Sequence, residues 1–214
     1  MQYNILKAAP LPRIYLISSG EENSDPGRLI RQLNLLPSFM PCIVQIREKN
    51  LEAKQLLTLA LQARKIQLPT GSLLLCNERA DVALAAGLDG VHLPENACPT
   101  DKLQAFASNF IFGCSIHSQK ALHIAEQSGA DYLLFGPVFD TPSKRKYGAP
   151  QGLKKLGEFC RTTSLPVYAL GGITPRNAAL CMAEGAYGTA GLSIFQDTSR
   201  LSETIEQFYR ILYP

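Results

Sequence analysis

The stretch LPVYALGGITPRN, residues 165–177, carries one complete unit of the fold. Leu165 to Leu170 is a short apolar run, the pattern of a strand buried on both faces in a parallel sheet. Gly171 and Gly172 then let backbone turn sharply and approach other groups closely. Thr174 suits a helix N-cap and Pro175 the first helical position. The result is a βα unit with a glycine turn at the carboxyl end of its strand. That turn reads equally as a tight connection or as a cradle of N–H groups for an oxyanion, most simply phosphate.

The same unit repeats outward in both directions. Strands are expected at 13–18, 41–47, 72–77, 90–93, 110–115, 131–136, 167–170 and 187–191. Helices are expected between them at 26–36, 51–66, 79–86, 102–107, 119–128, 153–162 and 175–184, with a last one at 202–212. The 51–66 helix shows its apolar face through Leu51, Leu56, Leu57, Leu59, Ala60 and Ala63. Eight βα units in 214 residues predict a single (β/α)8 TIM barrel, with residues 13–212 as barrel and 1–12 as an N-terminal extension of one domain. A doubly wound open sheet is the alternative. Its usual Gly-x-Gly-x-x-Gly after the first strand is missing, since Ser18-Ser19-Gly20-Glu21 stands there.

Composition narrows the function classes. A net charge of +3, from 21 basic and 18 acidic residues, is too balanced for a nucleic-acid or membrane-surface partner. No apolar run is long enough to span a bilayer, and the first residues lack a signal-peptide core, so a cytoplasmic protein is expected. Six cysteines without a C-x-x-C pair read as reduced and mostly buried, and no Cys/His group has zinc-ligand spacing. Oligomeric state is left open, a homo-oligomer included.

A barrel places its chemistry at the carboxyl ends of its strands, on the inward-facing half of each alternation. On the second strand, Cys42, Val44 and Ile46 face the helices. Gln45, Arg47 and Lys49 share the other face, and two cations with an amide there point to an anionic ligand. An internal ion pair with Glu48 is the structural alternative. On the fifth strand Ser115 and His117 face the mouth, and His117 is the best acid–base candidate of the chain. His92, inside the fourth strand, reads equally as a satisfied core histidine. Asn77 and Glu78 end the third strand, although Glu78 also suits a first-turn helix charge. Thr141, Ser143 and Lys144 occupy a 137–151 loop with the composition of a phosphate-binding segment or lid. Gly171 and Gly172, with Gly191, Leu192 and Ser193, match the barrel phosphate site after strands seven and eight.

These residues resemble the thiamine phosphate synthase and TenI family over nearly the whole chain. The landmarks are QIREK at 45–49, CNERADVAL at 76–84, GLDGVHL at 87–93, GCSIHS at 113–118, GADYLLFGPVF at 129–139, TPSK at 141–144, ALGGITP at 169–175 and GAYG at 185–188. In the synthases a thiazole nitrogen displaces pyrophosphate from a pyrimidine, through a pyrimidine cation and with Mg²⁺ assisting. Carried over, the resemblance gives Gln45, Arg47, Lys49, Asn77 and Ser115 to the pyrimidine pyrophosphate. Thr141, Ser143 and Lys144 go to the two phosphate groups. Gly172 and the 191–193 turn go to the thiazole phosphate.

Two departures touch the metal site. Where the synthase pattern has aspartates, this chain has Glu78 and Ala97, with Glu95 nearby as a possible substitute. The TenI branch lacks synthase activity, and some members move a proton to aromatise a thiazole, with a histidine at the position of His117. The resemblance therefore implies, first, a TenI-like thiazole tautomerase using His117, Lys144 and Arg47 and no metal. The alternatives are a thiamine phosphate synthase using Mg²⁺ at Glu78, and a non-catalytic binder of the pathway's metabolites. In each case the partner is a small phosphorylated molecule.

Overall fold

The computed structural model describes residues 9–141 and 149–214. Eight parallel strands close into a barrel in sequence order. They are β1 Ile14–Ile17, β2 Cys42–Ile46, β3 Leu73–Asn77, β4 Gly90–Leu93, β5 Ile111–Ile116, β6 Tyr132–Phe135, β7 Val167–Leu170 and β8 Gly188–Gly191. The intervening helices are α1 Arg28–Leu33, α2 Ala53–Arg64, α3 Ala80–Ala85, α4 Thr100–Gln104, α5 Gln119–Gln127, α6 Gly152–Thr162, α7 Pro175–Ala183 and α8 Leu201–Leu212. A 3₁₀ turn, Ser193–Phe195, follows β8 and was not foreseen. The eight-unit barrel expected from the sequence is the observed architecture, with β8 closing on β1 through Tyr15↔Ala190. Among the described residues no helix is long and apolar enough to cross a membrane.

Strand alternation divides the apolar residues into two cores. Leu16, Val44, Cys76, Phe112, Leu133 and Ala169 face outward into the layer under the helices. α8 covers that layer with Leu201, Ile205, Phe208 and Leu212, a 4-3-4 spacing that keeps one helical face inward. The barrel lumen is filled by the opposite parity, including Tyr15, Ile43, Leu75, Ile111, Tyr132, Leu134 and Tyr168. It is a packed interior, as in other small parallel barrels.

Three tyrosines dominate that interior, and the chain makes room for them. The rings of Tyr15, Tyr132 and Tyr168 meet edge to face at 5.4–5.7 Å. Gly113 stands in register with Tyr132, and a Cβ there would lie 1.9 Å from the Tyr132 ring. The glycine at this β5 position is therefore required by the phenol that crosses it. Cys42, Cys76, Cys98, Cys114, Cys160 and Cys181 are all free thiols, with Cys98 exposed and Cys160 half-buried.

Candidate active site at the barrel mouth

The carboxyl ends of β2 and β3 place a run of polar side chains along one edge of the mouth. Gln45 is buried in the lumen and donates its amide N–H to Asn77 Oδ1 at 3.1 Å. Asn77 donates in turn to Glu78 Oε2 at 2.7 Å, and Lys49 Nζ lies 3.2 Å from the same oxygen. One oxygen of Glu78 thus holds both neighbours, and Oε1 has no protein partner among the described residues. Glu78 sits at φ 61, a left-handed conformation uncommon for a non-glycine residue. It belongs to the sharp strand-to-helix turn, two residues before α3 begins, and so is not a first-turn helix charge.

Arg47 is half-buried beside this edge. Its guanidinium has no ion pair or hydrogen bond among the described residues. The expected rival partner, Glu48, is committed elsewhere. It accepts from Ser18 Oγ and from the N–H groups of Gly20 and Glu22, at 2.5, 3.1 and 2.9 Å, and so fastens the β1–α1 loop to β2. A partly exposed guanidinium without a counter-charge among the described residues is suited to meet an anionic ligand.

Across β4 and β5 the polar residues divide into a buried set and a rim set. His92 is 3% exposed and bonded through both ring nitrogens, to Tyr132 Oη at 3.1 Å and Ser115 Oγ at 2.9 Å. Burial, and then the charge of Arg47, push its pKa down to about 3, so the ring is neutral. On the rim, exposed His117 pairs through Nδ1 with Glu95 Oε2 at 2.5 Å. Glu95 Oε1 accepts from Ser118 Oγ at 2.9 Å. Both oxygens of Glu95 are occupied, so it does not replace the carboxylate lacking at Ala97.

The far edge of the mouth is made of backbone. Thr174 caps α7 in a reciprocal box with Asn177, as the Thr-Pro pair implied. That box consumes the Thr174 N–H, which donates to Asn177 Oδ1 at 2.7 Å, and Asn177 Nδ2 donates to the Gly172 carbonyl at 3.0 Å. The Gly172 N–H has no acceptor among the described residues. Gly171 and Gly172 both have positive φ, 96 and 66. A Cβ on Gly172 would lie 2.6 Å from the Asp140 carbonyl oxygen and 2.8 Å from Phe139 Cβ. The turn is thus pressed against the β6–α6 connection that carries Thr141. Next to it, Leu170 pairs with Ala190, which brings Gly191, Leu192 and the amino end of the Ser193 turn alongside. The first N–H groups of such a turn lack internal acceptors and point outward. Ser143 and Lys144 lie outside the described residues.

The structure therefore gathers Gln45, Arg47, Lys49, Asn77 and Glu78 at the β2–β3 edge and Gly171, Gly172 and 191–193 at the β7–β8 edge, with Ser115 at the end of β5 between them. Residue-by-residue reading missed the connection of His92 to Tyr132 and Tyr15. Inward parity on β1, β4 and β6 was its only sequence signal.

A family model described as thiamine monophosphate synthase matches residues 14–195. A putative thiamine-phosphate synthase 2 of Aquifex aeolicus is 40% identical over 185 residues, covering 86% of this chain and 98% of that protein. A thiamine-phosphate synthase of Methanoculleus marisnigri is 41% identical over 152 residues, 71% of this chain and 72% of that protein. Among solved structures, the thiamine phosphate pyrophosphorylase of Pyrococcus furiosus superposes with a TM-score of 0.78 at 27% identity, covering 94% and 95% of the two chains.

Proposed function

The chain belongs to the thiamine monophosphate synthase family, and from that premise we propose that it is a thiamine phosphate synthase. The reaction joins a pyrimidine pyrophosphate to a thiazole phosphate and releases pyrophosphate. This reverses the order of readings drawn from the motifs, where a TenI-like tautomerase stood first. The family match and the relatives' names favour the synthase. The observation that carries the reading is Arg47, unpaired among the described residues, on the β2–β3 edge with Gln45 and Asn77, and a separate backbone turn at β7–β8. A tautomerase needs one phosphate anchor and one base. Two anion positions fit a reaction with two phosphorylated substrates.

In this reading Arg47 and Lys49 take the pyrophosphate, while Gln45, Asn77 and Ser115 orient the pyrimidine end. Gly172 and the 191–193 turn anchor the thiazole phosphate. The thiazole nitrogen attacks the exocyclic carbon of the pyrimidine, the carbon–oxygen bond to pyrophosphate breaks, and its electron pair leaves with pyrophosphate. The developing negative charge falls beside Arg47, which has no counter-ion among the described residues, so the cation stabilises the departing group most.

The family implies Mg²⁺, and the donor set at β3 admits it in one form only. Among the described residues no group of three or more His, Cys, Asp or Glu side chains could form a cage. Mg²⁺ commonly takes one or two carboxylates and completes its shell with phosphate oxygens and water. Glu78, with Oε1 free of partners among the described residues, fits as that carboxylate. When bound, the ion would neutralise charge on the pyrophosphate. A cytoplasmic setting belongs to the same proposal.

Incubation with both substrates and Mg²⁺ tests the reading. Thiamine phosphate and pyrophosphate should form one to one. Aromatisation of a thiazole tautomer without joining, lost in His117→Ala, would return the protein to the proton-transfer reading.

A further inference from the structure

Ser115 is the outer end of a hydrogen-bonded chain that runs down into the barrel. Its Oγ lies 2.9 Å from His92 Nε2, His92 Nδ1 lies 3.1 Å from Tyr132 Oη, and Tyr132 Oη lies 2.8 Å from Tyr15 Oη. Tyr15 and Tyr132 are fully buried, and their rings enclose one another together with Tyr168 and His92. Only Ser115, at the mouth, is partly open.

Each link could in principle run in either direction, and the count of donors and acceptors decides between them. A neutral imidazole has one N–H and one bare nitrogen. Suppose the proton sits on Nδ1. Tyr132 then accepts from His92, two phenol protons remain for one phenol–phenol bond, and one of them is left in the core. No acceptor for it exists among the described residues, and a buried donor without a partner is costly. Suppose instead the proton sits on Nε2. Tyr15 donates to Tyr132, Tyr132 donates to Nδ1, and Nε2–H donates to Ser115 Oγ. Every buried proton is then used. The one proton left over is the Ser115 hydroxyl proton, at the mouth where a ligand can accept it.

We propose that Tyr15, Tyr132 and His92 are positioning residues that fix the Ser115 hydroxyl as a hydrogen-bond donor into the mouth. The ligand atom that receives this proton is then an acceptor, a phosphate oxygen or an unprotonated ring nitrogen. The direction of the chain follows from the fold alone. The identity of the ligand rests on the synthase reading. The depressed basicity of His92 supports the arrangement, because a charged ring would donate to Tyr132 as well and leave a buried phenol proton without an acceptor.

The wild-type protein labelled with ¹⁵N-histidine tests this without any substrate. Correlating ring nitrogens with ring carbon-bound protons reports the tautomer, and the signal lost in His92→Gln assigns the ring. The expected result is a neutral ring from pH 8 to 5 with its proton on Nε2. A proton on Nδ1, or an imidazolium at pH 6, overturns the proposal. Tyr132→Phe should shift the His92 nitrogens toward a mixture of tautomers, and an unchanged spectrum would also overturn it. In the synthase assay, Tyr132→Phe should lower kcat on the order of 10-fold. Ser115→Ala added to it should cost far less than Ser115→Ala alone, whereas additive losses would reject the coupling. If wild-type protein makes no thiamine phosphate, the synthase reading fails while the tautomer result still stands.

Discussion

The two sides of the barrel mouth solve one problem by different means. In the synthase reading the β2–β3 side meets an anion with side chains: Arg47, unpaired among the described residues, and Lys49, Asn77 and Glu78 linked through a single carboxylate oxygen. The β7–β8 side presents backbone, with glycines at positive φ packed against the β6–α6 connection. In that reading the first side works by charge and can be altered one group at a time. The second holds by shape, so any side chain added there acts on the whole turn. The two sides thus have different vulnerabilities, and the variants that separate them follow from that.

The largest effect is expected at Arg47. Arg47→Gln should lower kcat/KM for thiamine phosphate formation by about 10²-fold or more, the usual cost of losing a donor aimed at developing charge. Thiazole-phosphate affinity, measured by calorimetry, should stay within about 2-fold. An equal loss at both ligands would merge the two sides into one site.

Gly172→Ala probes the other side. The added Cβ meets the Asp140 carbonyl, and alanine at φ 66 adds backbone strain on the order of 1–3 kcal/mol. The KM for thiazole phosphate should rise about 10-fold, with pyrophosphate binding nearly unchanged.

The floor beneath the charged side contains a titratable group. His92 is held at about 3 by burial, against an ordinary value of 6.5. Its folded pKa is depressed, so the unfolded chain binds the extra proton first as pH falls. The stability of keeping the ring neutral is therefore complete above about 6.5 and is lost progressively toward pH 3. The slope is on the order of 1.4 kcal/mol per pH unit. Urea unfolding of His92→Gln between pH 7 and 4.5 should show a flatter dependence by roughly that slope.

The smallest effect is expected at His117. Its ring is exposed on the rim and tied to Glu95, away from the buried chain. In the synthase reaction His117→Ala should cost less than about 10-fold, below the usual yield of general acid–base catalysis. A loss of 10²-fold or more would place proton transfer at the rate-limiting step.

Much of this geometry was legible in the sequence, for local reasons. β4 and β7 fall where the apolar runs end, and the parity of Gln45 and Arg47 against Val44 and Ile46 put the amide and cation at the mouth. Most helix ends moved by a residue or two, and the carboxyl end of α1 by three, from 36 to Leu33. α4 moved further, to Thr100–Gln104, because Thr100 is fully buried against the Ser128 carbonyl. What alternation could not give was partnership. His92 reads alike as ligand or core until Tyr132, forty residues later, arrives beside it. Glu95 reads as a spare carboxylate until His117 and Ser118 take both its oxygens.

The central claim is that the mouth holds two anions at once on chemically different walls. Calorimetric titration of thiazole phosphate into protein saturated with Mg²⁺-pyrophosphate tests it most directly. The account predicts one further equivalent bound, with affinity sensitive to Gly172→Ala and insensitive to Arg47→Gln. Competition between the two ligands for a single site would contradict it.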